Sequence, residues 1–172
     1  MHQYTKLAKE AIENYTINQK IIEPSTKLLK GCSGKKAGVF ITITKNDRLR
    51  GCIGTFLPTQ KNIYQEIIKN AISAATADPR FNPVSFDELN ELNYEVSILN
   101  SPKPVNSTKE LNPEKFGIIV KGAESGKVGL LLPNLDDVVS IEDQINIACS
   151  KAGIDLSKEK ITVFKFGTKK YI

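Results

Sequence analysis

An α+β fold, mostly antiparallel hairpins packed with about three main helices, is predicted by three features of this 172-residue sequence. Two β-branched runs double back at turn-forming residues, as hairpins do. Three other stretches repeat apolar residues at the 3.6-residue spacing of amphipathic helices. Their order is helix, hairpin, helix, strand, then hairpin, helix, strand, which suggests two halves of similar plan.

The first helix is predicted from Gln3 to about Asn18, where Tyr4, Leu7, Ala8, Ala11, Ile12 and Tyr15 share one face. A loop rich in turn formers, "EPS" and "KGCSGKK", follows. "AGVFITITK" then reads as a strand, and "NDR" turns it into a second strand, "LRGCIGTF". After Pro58, the residues Ile63, Tyr64, Ile67, Ile68, Ala71, Ile72 and Ala75 trace a helix that stops before Pro79. Its small residues Ala71, Ala74 and Ala75 allow close approach to a sheet. "SFDE" (Ser85 to Glu88) is a capping-box pattern for one short helical turn. "LNYEVSILN" alternates Leu92, Tyr94, Val96 and Ile98 against polar neighbours, as a half-buried strand does. "SPKPVNS" reads as a linker, because Pro102 and Pro104 favour extended backbone without a ladder donor; it divides lobes 1–100 and 105–172. "FGIIVKG" and "KVGLLLP" flank a second hairpin turn. Ile141, Ile145, Ala148, Cys149 and Ala152 mark a third helix, with Ser140 as N-cap and Gly153 just beyond its end. "ITVFKFG" closes the series as a strand.

Composition narrows the chemistry. Hydrophobic residues at 40% and charged residues at 25% are those of an ordinary globular chain. The longest apolar runs are too short to span a bilayer, and "MHQYTKLAKE" lacks the apolar core of a signal peptide, so the cytoplasm is the expected compartment. Cys32, Cys52 and Cys149 are odd in number and widely spaced, which argues against a disulfide framework or a structural zinc site. The single histidine, His2, lies at a terminus expected to fray. One histidine disfavours Ser-His-Asp and Cys-His catalysis and His-rich metal centres, while a carboxylate-only metal site stays open. No intrinsic metal or nucleotide motif names a cofactor, and "KGAESGK" lacks phosphate-loop spacing. The net charge of +5 comes from lysines dispersed among glutamates, which disfavours nucleic acid as a partner.

Chemistry concentrates in "LRGCIGTF" and "DPRF". Strand alternation puts Arg48, Arg50, Cys52 and Gly54 on one face and Leu49, Gly51, Ile53 and Thr55 on the other, with the apolar set toward the core. A thiol two positions from a guanidinium lies about 7 Å from it along a strand, and positive charge favours thiolate. Gly51 and Gly54 leave gaps for a ligand or another backbone. Asp78 and Arg80 suit a turn with one ion pair or a clamp for an anion. The catalytic candidates are therefore Cys52, Arg50 and Asp78, and the binding candidates are Arg48, Gly51, Gly54, Thr55 and Arg80. A purely structural strand, with Cys52 as a small buried hydrophobe, accounts for the same residues. Cys149 fits core packing, Cys32 a loop, and Glu95 the polar face of its strand.

"LRGCIG", "DPRF", "ELNYEVSIL", "GLLLP" and "KAGI" occur in the order and approximate spacing of the AMMECR domain family, in its bacterial branch. The resemblance runs from "LAKEAIENY" to the terminal strand, and departs from many relatives at Thr76 and Asn134. It implies a compact two-lobed fold and a single domain over 1–172. It also implies, as possible partners, a Memo-type protein similar to extradiol dioxygenases and a radical SAM protein, because members of that branch are encoded beside or fused to them. Two readings follow. One is a component of a redox or radical modification pathway, with Cys52 as reactive thiol and Arg48 and Arg50 holding a small anionic group. The other is a non-catalytic module that docks proteins or ligands with the same surface.

Overall fold

Each apolar hairpin becomes one side of a four-stranded sheet, since a hairpin alone leaves its apolar face in water. The computed structural model describes residues 1–31, 34–135 and 138–172. The elements are α1 (Gln3–Asn18), α2 (Thr26–Gly31), β1 (Val39–Lys45), β2 (Arg48–Thr55), α3 (Ile63–Thr76), β3 (Leu92–Leu99), β4 (Lys103–Pro104), β5 (Gly117–Gly122), β6 (Val128–Leu131), α4 (Ile141–Ala152), β7 (Ile161–Phe166) and β8 (Thr168–Tyr171). Two compact units result, Met1–Leu99 with Lys169–Ile172, and Asn100–Thr168.

The first unit has strand order β2-β1-β3-β8. β1 buries Val39, Ile41 and Ile43, every second residue, against Ile12 of α1 and Ile67 and Ala71 of α3. Asn46 and Asp47 adopt φ of 49° and 58°, the left-handed pair that a two-residue hairpin turn requires. Asn62 caps α3, its Oδ1 accepting from the N–H groups of Tyr64 and Gln65 at 3.0 and 3.1 Å.

The second unit has order β4-β7-β5-β6 and a smaller core of Ile118, Val120, Leu131, Ala148 and Cys149. The two units share a plan. In each, the first hairpin strand is central, the second is at the edge, and the strand after the helix joins the far side antiparallel. In each, a glycine of the edge strand lies under a helix carbonyl: Gly51 beneath Ala74 O, and Gly129 beneath Ala148 O. The halves suggested by element order are thus similar in topology.

Several expectations change. The segment predicted as loop holds the short helix α2, whose Leu28 packs on the core; Cys32 lies outside the described residues. The expected linker contributes β4, with Lys103 opposite Lys165 and Pro104 opposite Phe164 at a sheet edge, where proline's missing N–H is tolerated. "SFDE" opens a 3-10 turn, Phe86–Glu91, with Glu88 Oε1 accepting from Ser85 N–H at 2.9 Å. The terminal residues form β8 beside β3, so the chain's end belongs to the first unit. His2 is not frayed: its Nδ1 caps α1 by accepting from Tyr4 N–H at 3.2 Å, and its N–H donates to Ile172 O at 3.1 Å. Its ring lies 4.3 Å from that of Tyr171.

Candidate functional site

Because β2 is an edge strand, the peptide groups on its outer side have no neighbouring strand. At Cys52 two side chains replace one. The Cys52 N–H donates to Asp78 Oδ2 at 2.8 Å, and its carbonyl accepts from Arg80 Nη2 at 3.4 Å. Arg80 also donates to Asp78 through Nε (2.9 Å), Nη2 (2.7 Å) and its own backbone N–H (3.1 Å). The pair offers one acceptor and one donor, as a strand's peptide does. The Asp78 side chain is 2% exposed and that of Arg80 53%. The Arg80 guanidinium, helped by the Cys52 and Arg80 N–H groups and opposed by burial, holds the Asp78 carboxyl far below the usual range. Asp78 is thus a fixed acceptor of low basicity.

Cys52 is half-buried, with Sγ 3.5 Å from Thr42 Oγ1. Thr42 sits opposite Cys52 on one side and Glu95 on the other, so thiol, hydroxyl and carboxylate form a row across three strands. Glu95 accepts from Ser97 Oγ at 3.2 Å and pairs with Lys170 at 3.4 Å.

Alternation fails upstream of Cys52. Gly51 lies opposite Ile43 but Leu49 opposite Thr44, which leaves Arg50 as the extra residue of a bulge. Leu49, expected on the core face, is consequently 42% exposed. Arg50 turns toward the 3-10 segment, where Nε and Nη2 donate to Glu88 Oε2 and Oε1 at 2.9 and 2.7 Å. This bidentate bond, opposed by burial, keeps the Glu88 carboxyl below its ordinary range. Arg50 is engaged within the fold rather than open to an anion. The Phe81 ring lies 5.9 Å from the Arg50 guanidinium and 5.5 Å from that of Arg80, linking the two pairs. Arg48 is exposed where the strand begins.

At both glycines the gap is taken by the protein's own backbone, one of the two expected occupants. A side chain at Gly51 would meet the Ala74 carbonyl, and one at Gly54 the Phe40 ring and the Val39 carbonyl. Thr55 also faces inward, its Oγ1 donating to Glu66 Oε1 at 2.6 Å and accepting from Asn70 Nδ2 at 3.0 Å. Glu66, which sequence reasoning missed, is fully buried and accepts also from Thr59 N–H (2.6 Å), Thr59 Oγ1 (3.0 Å) and Gln60 N–H (2.7 Å). Burial pushes its carboxyl up, and these donors, Thr55 first, bring it below the ordinary value. Its signal was available: Glu66 and Asn70, four apart, interrupt the apolar stripe of α3.

The fold therefore gathers Cys52, Asp78 and Arg80, sets Arg50 beside them through Phe81, and places Arg48, Thr55 and the glycines elsewhere. Among the described residues no cluster of His, Cys, Asp or Glu is placed to hold a metal ion, and no helix is long and apolar enough to cross a membrane.

A family model described as AMMECR1 matches residues 5–171. The chain belongs to the AMMECR1 family. A protein of Thermotoga maritima is 44% identical over 171 residues, covering 99% of this chain and 97% of its own length. A Clostridium acetobutylicum protein is 43% identical over 95% of this chain, which spans only 34% of that relative. The crystal structure of an uncharacterized Pyrococcus horikoshii protein aligns with a TM-score of 0.85 at 31% identity, over 97% of this chain and 88% of that one. That structure has the same α+β fold.

Proposed function

We propose that this AMMECR1-family chain is a cytoplasmic component of a redox or radical modification pathway and presents Cys52 to a partner protein. The proposal includes membership of the bacterial branch termed AmmeMemoRadiSam system protein A, whose partners are a Memo-type and a radical SAM protein. One observation carries the reading: the Cys52 peptide is fixed on its open side by the Asp78–Arg80 pair, while the residue keeps partial exposure. Fixing the backbone of a residue that is not fully buried is how a group is presented rather than packed. The Clostridium relative, in which this module is about a third of the chain, supports a module that works beside other protein. An anionic group on that partner would meet the exposed side of Arg80.

The test compares alkylation of Cys52 and Cys149 by iodoacetamide in the folded protein, in a Cys32→Ser background. Cys149, 2% exposed and with its thiol pushed up by burial and by Glu159, is the internal reference. Cys52 should react at least about tenfold faster, because it is half-buried and Cys149 is buried. Equal rates would remove the thiol from the proposal. Incubation with the radical SAM partner and a reductant, followed by peptide mass spectrometry, tests the pathway; no mass change at Cys52 under conditions of cofactor cleavage counts against it.

A second reading, a non-catalytic docking module, is favoured by a specific feature. Asp78 and Glu88, the carboxylates bonded to β2 at Cys52 and Arg50, are both engaged by arginines, and Sγ contacts a hydroxyl, Thr42 Oγ1, rather than a base. Cys52→Ser separates the two: unchanged partner binding together with unchanged pathway output selects the docking module.

A further inference from the structure

A groove of about 410 Å³ lies in the first unit along one flank of α3 and shares no residue with the Cys52 site. Its floor is apolar: Ile68, 3% exposed, with Ile72 and Ile22 packed against the same core. Ile68 and Ile72 are one helical turn apart, as are Gln65, Lys69 and Ser73, so a row of polar side chains runs parallel to the apolar floor. From Gln65 to Ser73 the helix rises about 12 Å. The facing wall is Ile21, Ile22 and Glu23, and Gln60 also lines the groove.

Volume and charge select the occupant. The volume is that of a small-molecule site and is less than a partner helix would need. The charges are one of each sign, Glu23 and Lys69, on the lining of the same groove. They are not paired with each other, although the described residues hold nine ion pairs elsewhere, from Lys6–Glu10 to Lys170–Glu95. An uncompensated acid and base bordering an apolar floor complement a ligand that carries an ammonium, a carboxylate and a hydrocarbon group.

We propose that this groove binds a free α-amino acid with an apolar side chain. The hydrocarbon lies on Ile22, Ile68 and Ile72, the carboxylate takes Lys69 and Ser73, and the ammonium takes Glu23. Glu23 and Lys69 are exposed at the rim of the groove, and a charge partner at each end gives selectivity, because a ligand lacking either group forgoes one ion pair.

The experiment is calorimetric titration and thermal shift of the full chain with L-leucine, L-phenylalanine, glycine, leucinol and 4-methylpentanoate. Leucine or phenylalanine should bind with Kd on the order of 1 mM or below, while glycine, lacking the hydrocarbon, and leucinol and 4-methylpentanoate, each lacking one charge, bind at least about tenfold more weakly. Lys69→Gln and Glu23→Gln are solvent-side changes, and each should weaken leucine about tenfold with the unliganded Tm unchanged. Lack of binding by both amino acids at 20-fold that concentration overturns the proposal. So does equal binding of 4-methylpentanoate and leucine, which would assign the groove to carboxylic acids, or leucine binding that survives both substitutions. The alkylation rate of Cys52 is a separate readout, so failure here leaves the proposed function standing, and the reverse.

Discussion

Replacing Asp78 by alanine tests the idea that a side-chain pair substitutes for a missing strand. The substitution deletes the acceptor of four hydrogen bonds, one from Cys52 N–H and three from Arg80. Bonds to a buried charge contribute about 1.5–3 kcal/mol each, but they share one carboxylate and are not additive. The freed Arg80 guanidinium is half exposed and rehydrates, so its share is discounted. The unsatisfied Cys52 N–H at the strand edge and the lost turn at Arg80 remain, for a total of about 3 kcal/mol. In urea denaturation the midpoint should fall with unchanged m, and Tm should fall by roughly 6–12 °C for a chain of this size. The pH dependence follows from the depressed carboxyl. A folded pKa below the unfolded value of about 3.9 contributes stability that is full above that value and is lost as pH falls through the folded one. Wild type should therefore lose stability below about pH 4, and Asp78→Asn, which keeps an acceptor for Cys52 but no charge, should lose less over the same interval. Destabilisation of Asp78→Ala by less than about 1 kcal/mol, or an acid limb identical in Asp78→Asn, refutes the clamp.

Gly51→Ala should destabilise by about 2–3 kcal/mol, because its methyl must push helix α3 off the sheet at the Ala74 carbonyl; urea denaturation measures it, and a change under about 0.5 kcal/mol contradicts the packing. Glu66→Gln, which faces one amide donor toward the Thr55, Thr59 and Gln60 donors, should cost about 3 kcal/mol and remove part of the acid limb below about pH 4, since the Glu66 carboxyl is also depressed in the folded state. His2 is lowered in the folded protein by burial, then by Lys169 and the N-terminus. For a base this means stability is full above the unfolded pKa of about 6.5 and falls as pH drops toward the folded one. His2→Asn, which retains a capping oxygen, should flatten the Tm profile between about pH 7 and 5, and an unchanged slope would place the titration elsewhere.

Local information carried most of the fold. Apolar period alone marks α1, α3 and α4, and β-branched runs broken by Asn46-Asp47 or by Gly126 mark the two hairpins, because these depend on residues within a few positions of one another. α2 was hidden among turn formers, and β4 behind its prolines. The motif "LRGCIGTF" was legible as the chemical centre, and its pairing with "DPRF" as a candidate. Where each side chain points was not legible beyond Cys52, because a single inserted residue at Arg50 reverses the alternation before it and turns Leu49 outward. Arg50 reads as an anion site until Glu88, 38 residues on, is brought against it.

The sequence by itself determined an α+β chain of two similar hairpin-helix-strand halves, its family, and the strand that carries the thiol. Only the tertiary structure decided that this strand lies at a sheet edge, that Asp78 and Arg80 close that edge at Cys52, that Glu66 anchors Thr55, and that the last strand returns beside β3. The physical reason is the same in each case. A side chain's periodic position is set by its neighbours in sequence, whereas the partner that neutralises a buried carboxylate or completes a strand edge is set by contacts between distant segments.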